Sequence, residues 1–205
     1  MRHPPRLATA LLLAIIALMP WPASAQPDTA ASALAAVRSE LNEAMAILHN
    51  RALPLAQRRA ALRRLAERDL DLPWMAQATI RDHWSELTPT QRQEFVTLFT
   101  GFIEQIYLDR IQDYVDLNIT VDKAELSAPG YAEVDGTVTN PDRSSNPITF
   151  RLEHKAAGWL VYDVALSGVS MVENYRAQFD RVIQDHGVNQ LLNELRAKQQ
   201  QLGGG

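Results

Sequence analysis

The spacing of apolar residues changes twice along this chain, and these changes limit the possible folds more than any other feature of the sequence. Between residues 28 and 114 apolar side chains recur every three to four positions, as Leu34 and Val37 do, which is the spacing of amphipathic helices. Between residues 117 and 166 apolar and polar residues alternate, which is typical of half-buried strands. From 170 to 198 the helical spacing returns. The order helix, strand, helix predicts an α+β fold.

The alternating segment contains about four strands separated by short polar turns, for example residues 140–147. Short connections join neighbouring antiparallel strands, and an antiparallel sheet with one apolar face needs a helical layer over that face. The sequence therefore predicts a curved antiparallel sheet of about four strands, wrapped by the N-terminal and C-terminal helices in an NTF2-like sheet-and-helix architecture.

The clearest helix start is at Thr88, which is followed by Pro89 and, three residues after the cap, by Gln91. This arrangement predicts a capping box, with proline at the first helical position. The helix is expected to continue to about Tyr114 and carries a wide apolar stripe rich in aromatic residues.

The N-terminus has the features of a secretory signal peptide. Arg2 and Arg6 precede an uncharged apolar run, and Ala23-Ser24-Ala25 supplies small residues for cleavage. We expect residues 1–25 to be removed, which leaves a single domain over 26–198 (helical 28–114, sheet 117–166, C-terminal helices 170–198) and a flexible Gln- and Gly-rich tail over 199–205.

The composition after cleavage disfavours several classes of protein. Without Arg2 and Arg6 the chain has 18 basic residues against 24 acidic residues, so binding to nucleic acid or to anionic lipid surfaces is disfavoured. The absence of cysteine excludes disulfides, thiolate metal sites and a cysteine nucleophile.

Motifs that would indicate catalysis are missing from the sequence. The histidines are scattered without the spacing of a metal site, and there is no nucleophile elbow, phosphate loop or dinucleotide fingerprint. We therefore predict no catalytic residue, no metal and no cofactor. An enzyme hypothesis remains, in which Asp163 or His154 lies in a small pocket and has a perturbed pKa.

Two apolar surfaces are expected to face each other: the helix after Phe95 and one face of the strands that contain Val134 and Phe150. Periodicity alone does not distinguish a closed core from a ligand pocket between the two surfaces. Both interpretations are compatible with the pattern.

Five sequence blocks follow one another over about residues 35–200: Trp74-Met75-Ala76, His83-Trp84, Leu87 to Phe95, Trp159 to Val164 and Gly168 to Phe179. In content and order these blocks resemble the MlaC/toluene-tolerance (Ttg2-type) family of periplasmic phospholipid-binding proteins that serve ABC transporters. The segment Tyr175-Arg176-Ala177-Gln178-Phe179 is also similar to the branch associated with hopanoid loci.

The resemblance implies a function without catalysis. It implies a periplasmic carrier that binds phospholipid acyl chains in a hydrophobic pocket and maintains outer-membrane lipid asymmetry. The implied partners are an inner-membrane ABC transporter carrying an MCE-domain ring and an outer-membrane lipoprotein–porin complex, with no nucleic acid. The alternatives are a carrier of a hopanoid or other polycyclic lipid, a non-carrier periplasmic adaptor and, less favoured, an isomerase-like enzyme.

The assigned faces, together with the implied pocket, predict which residues contact lipid. Met171 and Tyr175 are expected near the mouth of the pocket, and Arg176 is expected either to be structural or to meet a phosphate. Trp159, Tyr162, Asp163 and Gly168 are expected to lock the last strand to its helix. The predicted lining is Phe99, Phe102, Ile106, Val134, Val138, Ile148, Phe150, Leu152, Val161, Met171 and Tyr175.

Overall fold

The predicted order of helices, strands and helices is present in the computed structural model, which describes residues 28–108 and 114–202. The predicted signal peptide lies outside the described residues. The helices are α1 (Ala30–His49), α2 (Leu55–Asp69), α3 (Leu72–Thr79), α4 (Pro89–Leu108), α5 (Met171–His186) and α6 (Val188–Leu202). The strands are β1 (Asn118–Ala128), β2 (Tyr131–Thr139), β3 (Ser145–Lys155), β4 (Gly158–Leu166) and β5 (Val169–Ser170).

Helix α4 begins at the residues that the sequence predicts, and local hydrogen bonds stabilise its first turn. The Gln91 backbone amide donates to the Thr88 hydroxyl over 3.3 Å, and the Thr88 amide donates to the Gln91 side chain over 3.0 Å, so the predicted capping box is confirmed. The expected extension of α4 to Tyr114 falls on residues 109–113, which lie outside the described part of the chain. None of the described helices is both long and apolar enough to cross a membrane.

The five strands form one antiparallel sheet in sequence order, which confirms the predicted fold class. The short β5 adds a fifth strand to the expected four. It pairs with the end of β4 through a tight turn at Ser167 and Gly168, whose φ angles are 51° and 79°. Two consecutive positive φ angles are the signature of a two-residue hairpin turn and explain the glycine.

A close approach between β1 and β2 requires Gly136. A Cβ atom at this position would lie 2.1 Å from the backbone oxygen of Thr120. The pairing register shifts beside this contact, between Val121 and Lys123, and the Arg38 guanidinium donates to the Val121 carbonyl at 3.0 and 3.1 Å. The bulge and its arginine therefore block part of the exposed edge of the sheet.

Two apolar clusters meet at the segment between α2 and α3. Helix α1 packs through Ala33 and Val37 on one face of the sheet, while α3 to α6 form a separate helical cluster. Leu70 packs against both clusters, and the Asp71 amide donates to the Val161 carbonyl over 2.9 Å. This segment covers the edge of β4 and joins the helical layer to the sheet.

Helix α6 continues to Leu202, so the predicted boundary at residue 198 is four residues too early. Glutamine is a good helix former, and the Gln199 carbonyl accepts a hydrogen bond from the Gln105 side chain over 3.3 Å. Gly101 on α4 permits the approach, because a Cβ there would overlap the Gln199 side chain.

Candidate functional site

Nine of the eleven predicted lining residues are divided between the two apolar clusters. Val138 and Ile148 are buried farther along the apolar sheet face and belong to neither cluster. The helical cluster contains Phe99, Phe102, Ile106, Met171 and Tyr175, and the sheet cluster contains Val134, Phe150, Leu152 and Val161.

Solvent exposure divides these residues differently. Phe99, Val134 and Leu152 have no accessible surface at all. A ligand can touch only atoms that a solvent molecule can also reach, so such residues can support a site from behind without contacting its occupant. The partly exposed members, which can contact a ligand without rearrangement, are Phe102, Ile106, Phe150 and Met171.

Phe102 is the centre of an aromatic group on α4 and α5. Its ring centroid lies 5.3 Å from that of Tyr175 and 6.1 Å from that of Phe179. Burial, followed by the neighbouring Tyr107 phenol, raises the pKa of Tyr175, so its hydroxyl stays neutral over the physiological range. The rings of Phe102, Tyr175 and Phe179 therefore form an apolar surface, and the neutral Tyr175 hydroxyl is its polar group.

A cavity of about 400 Å³ opens between α4, α5 and α6. Its volume is toward the small end of typical ligand sites, about 300 to 1,000 Å³. Polar side chains of Gln178, Glu194, Lys198 and Gln201 surround the cavity, and its apolar lining is Phe102, Phe179, Val182, Leu191, Leu195 and Ala197. Of the eleven residues that the sequence predicts to contact lipid, Phe102 also lines this cavity.

The contribution of α6 to this cavity was missed by the sequence analysis. The only available signal was the apolar spacing of Leu191 and Leu195, which also fits an ordinary packed helix. A smaller cleft of about 190 Å³ between α3 and α5 was missed as well. It is lined by Trp74, Gln77, Ala78, Arg81, Val172 and Glu173.

Asp163 has the structural environment expected of a residue that locks β4 to α5. It is only 3% exposed, accepts from the Arg151 guanidinium over 2.8 Å and accepts from the Val172 amide over 3.1 Å. Arg151 also donates to Glu133 over 2.9 Å. These hydrogen bonds join β2, β3, β4 and α5 to one another. Asp163 lines neither of the two cavities.

His154, the other residue of the enzyme hypothesis, packs against Trp159 with ring centroids 4.9 Å apart. Its Nε2 atom is buried without a hydrogen-bond partner among the described residues, while the Trp159 indole donates to Ser32 over 2.9 Å. His154 likewise lines neither cavity. The contacts of this pair fix α1 to the end of the sheet.

Arg176 forms an ion pair with Glu173 one turn earlier on α5, with 2.6 Å between Nη2 and the carboxylate. Its Nη1 atom is buried and has no partner among the residues that the structure describes.

His83 bridges Glu86 and Asp180, each at 2.8 Å. Within 28–108 and 114–202, no three potential metal ligands come together.

Comparisons with known proteins agree on one family. The family model described as "MlaC protein" matches residues 38–197. The toluene tolerance protein ttg2D of Pseudomonas putida is 30% identical over 100 residues, which cover 49% of this chain and 46% of that protein, so the chain matches less than half of its relative's length.

A solved structure has the same fold. It is a phospholipid-binding protein from Ralstonia solanacearum in complex with a phospholipid, and it aligns with a TM-score of 0.71 at 24% identity. The alignment covers 84% of this chain and 99% of that one. At this level of identity the likeness shows a shared α+β fold.

Proposed function

The chain belongs to the MlaC family, and on this basis we propose that it is a periplasmic carrier that binds the acyl chains of a phospholipid and moves the lipid between membranes. The family match extends over most of the chain, from residue 38 to residue 197. The fold likeness to a protein that is in complex with a phospholipid supports the same proposal.

The observation that carries this proposal is a set of apolar side chains that are accessible from solvent although they belong to the core clusters. Phe102 and Ile106 on α4, Met171 on α5 and Phe150 on β3 have this property. A soluble protein normally buries such residues fully or presents them singly on its surface. Phe102, Ile106 and Met171 pack against the same helical cluster, and we infer that an apolar ligand covers them.

Lipid transport through water requires such a surface, because exposure of each CH₂ group costs about 0.8 kcal/mol. We place the acyl chains against Phe102, Ile106, Phe150 and Met171. The other seven predicted residues then support the site from behind or lie beside it. The cavity between α4, α5 and α6 adjoins the same surface through Phe102 and provides further apolar volume.

We propose export by the N-terminal signal peptide, lipid exchange with an inner-membrane ABC transporter carrying an MCE-domain ring, and exchange with an outer-membrane lipoprotein–porin complex. The sequence contains no nucleotide-binding motif, so we assign the energy for directional transport to the partner ATPase. The resulting role is the maintenance of outer-membrane lipid asymmetry.

Purification of the protein from Gln26 onward without detergent, followed by native mass spectrometry and lipid extraction, tests the carrier function. We expect a stoichiometric adduct with the mass of a phospholipid. A hopanoid or another polycyclic lipid in the extract would change the cargo but retain the carrier function. A folded protein that stays empty after incubation with phospholipid vesicles would overturn the proposal.

A further inference from the structure

Three aromatic side chains form a continuous row on the face of the sheet opposite α1. The ring centroids of Trp74 and Tyr162 are 4.8 Å apart, and those of Tyr162 and Tyr131 are 6.1 Å apart. Trp74 is 39% exposed and Tyr131 is 38% exposed, so both ends of the row are open to solvent. We call Trp74, Tyr162 and Tyr131 the aromatic row.

The sheet face beside the aromatic row is open in the described part of the structure. Helix α1 packs on the other face, and α2, α3 and α5 make their main sheet contacts with β4. Side chains that oppose each other across antiparallel strands lie on one face, which places the row beside charged positions of β1, β2, β3 and β4. These positions are Lys123, Glu125, Glu133, Asp135, Arg151, Glu153, Lys155 and Asp163.

The charge on this face is unbalanced. Five carboxylates stand against three cations, and Glu125 lies directly opposite Glu133 in the β1–β2 register. Like charges at directly opposed strand positions destabilise a sheet. The existing cations are already shared, since Arg151 contacts both Glu133 and Asp163, so the face retains a negative potential that an external cation would neutralise.

We propose that this face, together with the aromatic row beside it, docks a basic, extended segment of a partner protein. Arginine and lysine are attracted to the faces of tryptophan and tyrosine rings as well as to the surrounding carboxylates. Trp and Tyr are also the residue types that most often dominate binding energy at protein interfaces. An anionic lipid surface is disfavoured by the same carboxylates.

The cleft between α3 and α5 extends this docking surface. Trp74 forms one wall of the cleft, Ala78 and Val172 contribute apolar surface, and Arg81 and Glu173 add opposite charges. A volume of about 190 Å³ beside the aromatic row accommodates one anchoring side chain of the docked segment. The sheet part of this surface lies on the opposite face from Phe150, so docking there leaves that proposed lipid contact accessible.

NMR titration of the ¹⁵N-labelled protein with the peptide acetyl-Gly-Arg-Gly-Arg-Gly-Arg-amide tests this inference. We expect amide shifts confined to the neighbourhood of Tyr131, Glu133, Arg151 and Tyr162, together with a shift of the Trp74 indole. The same peptide with glutamate in place of arginine should leave these signals unchanged. Shifts spread over the whole acidic surface, or equal shifts with the glutamate peptide, would overturn the proposal.

Matched variants separate recognition by the aromatic row from general charge attraction. Tyr131→Leu and Tyr162→Leu keep the net charge, and we expect each to weaken peptide binding about threefold, the scale of an exposed cation–π contact. Tyr131→Phe keeps the ring and should bind like the natural protein. Tyr107→Leu is the control, because Tyr107 is equally exposed at 39% but lies outside the row.

Equal binding by the Tyr131→Leu, Tyr162→Leu and Tyr107→Leu variants would contradict docking on the aromatic row. Native mass spectrometry of the same samples reports lipid content separately. We expect the Tyr131→Leu and Tyr162→Leu variants to bind the peptide more weakly and to retain lipid. Because the two properties are measured separately, a negative result for docking can be distinguished from a negative result for lipid binding.

Discussion

Asp163 and Val172 are joined by a hydrogen bond of 3.1 Å from the Val172 backbone amide to the Asp163 carboxylate, and this bond ties β4 to the first turn of α5. The other carboxylate oxygen accepts from Arg151 on β3 over 2.8 Å. One buried acid therefore links two strands to the C-terminal helices. This link also sets where α5 presents Met171 to the proposed lipid.

Replacement of Asp163 tests this link. We expect Asp163→Ala to lower the free energy of unfolding by about 2 to 3 kcal/mol, because charge-assisted hydrogen bonds to Arg151 and Val172 are lost together. Asp163→Asn should cost less, since an amide oxygen can still accept from Val172. Urea denaturation measures both values. Asp135→Asn, which changes a more exposed carboxylate of the same sheet face, is the control, and an equal loss there would contradict the assigned role.

Charged substitutions in the proposed lipid contacts should abolish lipid retention. A carboxylate at Phe102 or Phe150 would be desolvated against the acyl chain, which costs several kcal/mol per unpaired charge. Native mass spectrometry should find Phe102→Asp and Phe150→Asp empty, while Leu126→Asp, at an exposed apolar position of β1, retains lipid.

Circular dichroism establishes whether the Phe102→Asp and Phe150→Asp variants fold. If Phe102→Asp does not, Phe102→Leu and Phe102→Trp replace it, because both keep a largely apolar side chain and differ in volume. We expect the leucine variant to retain lipid and the tryptophan variant to retain less. Full retention in folded Phe102→Asp would remove Phe102 from the site.

Glu40 should make the stability of the protein depend on pH. Burial, followed by the nearby Asp69 carboxylate, raises the pKa of Glu40 to about 7, although Arg68 acts in the opposite direction. The folded state favours the protonated acid, so its stabilising effect is complete below the unfolded pKa near 4.5 and is lost as the pH rises through 7.

We therefore expect Glu40→Gln to raise the free energy of unfolding by roughly 1 to 3 kcal/mol at pH 8.5 and to change it little at pH 4.5. Urea denaturation at the two pH values measures the difference. Glu43→Gln is the matched control, one turn along α1, where the exposed carboxylate pairs with Arg68 over 2.7 Å. A pH-independent effect of Glu40→Gln would show that its carboxyl group titrates normally.

Gly136 should not tolerate a side chain. In Gly136→Ala the new methyl group would overlap the Thr120 backbone oxygen, and relief of that overlap requires the β1–β2 ladder to separate. We expect a loss of about 1 to 3 kcal/mol, the usual cost of overpacking. Thermal unfolding compares it with Gly130→Asn, where φ is 77° and nothing lies near a new Cβ, so that asparagine is nearly neutral.

Much of the fold followed from local patterns. The capping box at Thr88 and Gln91 and the alternation in β2 both depend on neighbouring residues, and the structure confirms them. The sequence places the end of α6 too early, because a segment rich in glutamine and glycine is typical of a flexible tail. A contact with Gln105 on α4, 94 residues away along the chain, accompanies the additional helical turn.

The candidate site was predicted less completely. The sequence placed Phe102 and Phe99 on the same apolar stripe of α4, but one is partly exposed and the other has no accessible surface. Their difference depends on how α5 and α6 cover α4. The aromatic row was also missed, because Trp74, Tyr131 and Tyr162 come from three separate segments.

The element types, the antiparallel connections and the family can be read from the sequence, because each depends on spacing within a segment or on the order of blocks along the chain. Three features emerge only when the elements pack together: which apolar residues remain accessible, the burial of Asp163 among fixed partners, and the sharing of one open face by three distant aromatic residues. The physical reason is that exposure and pairing depend on the crossing of elements, and periodicity within one element carries no information about its neighbours.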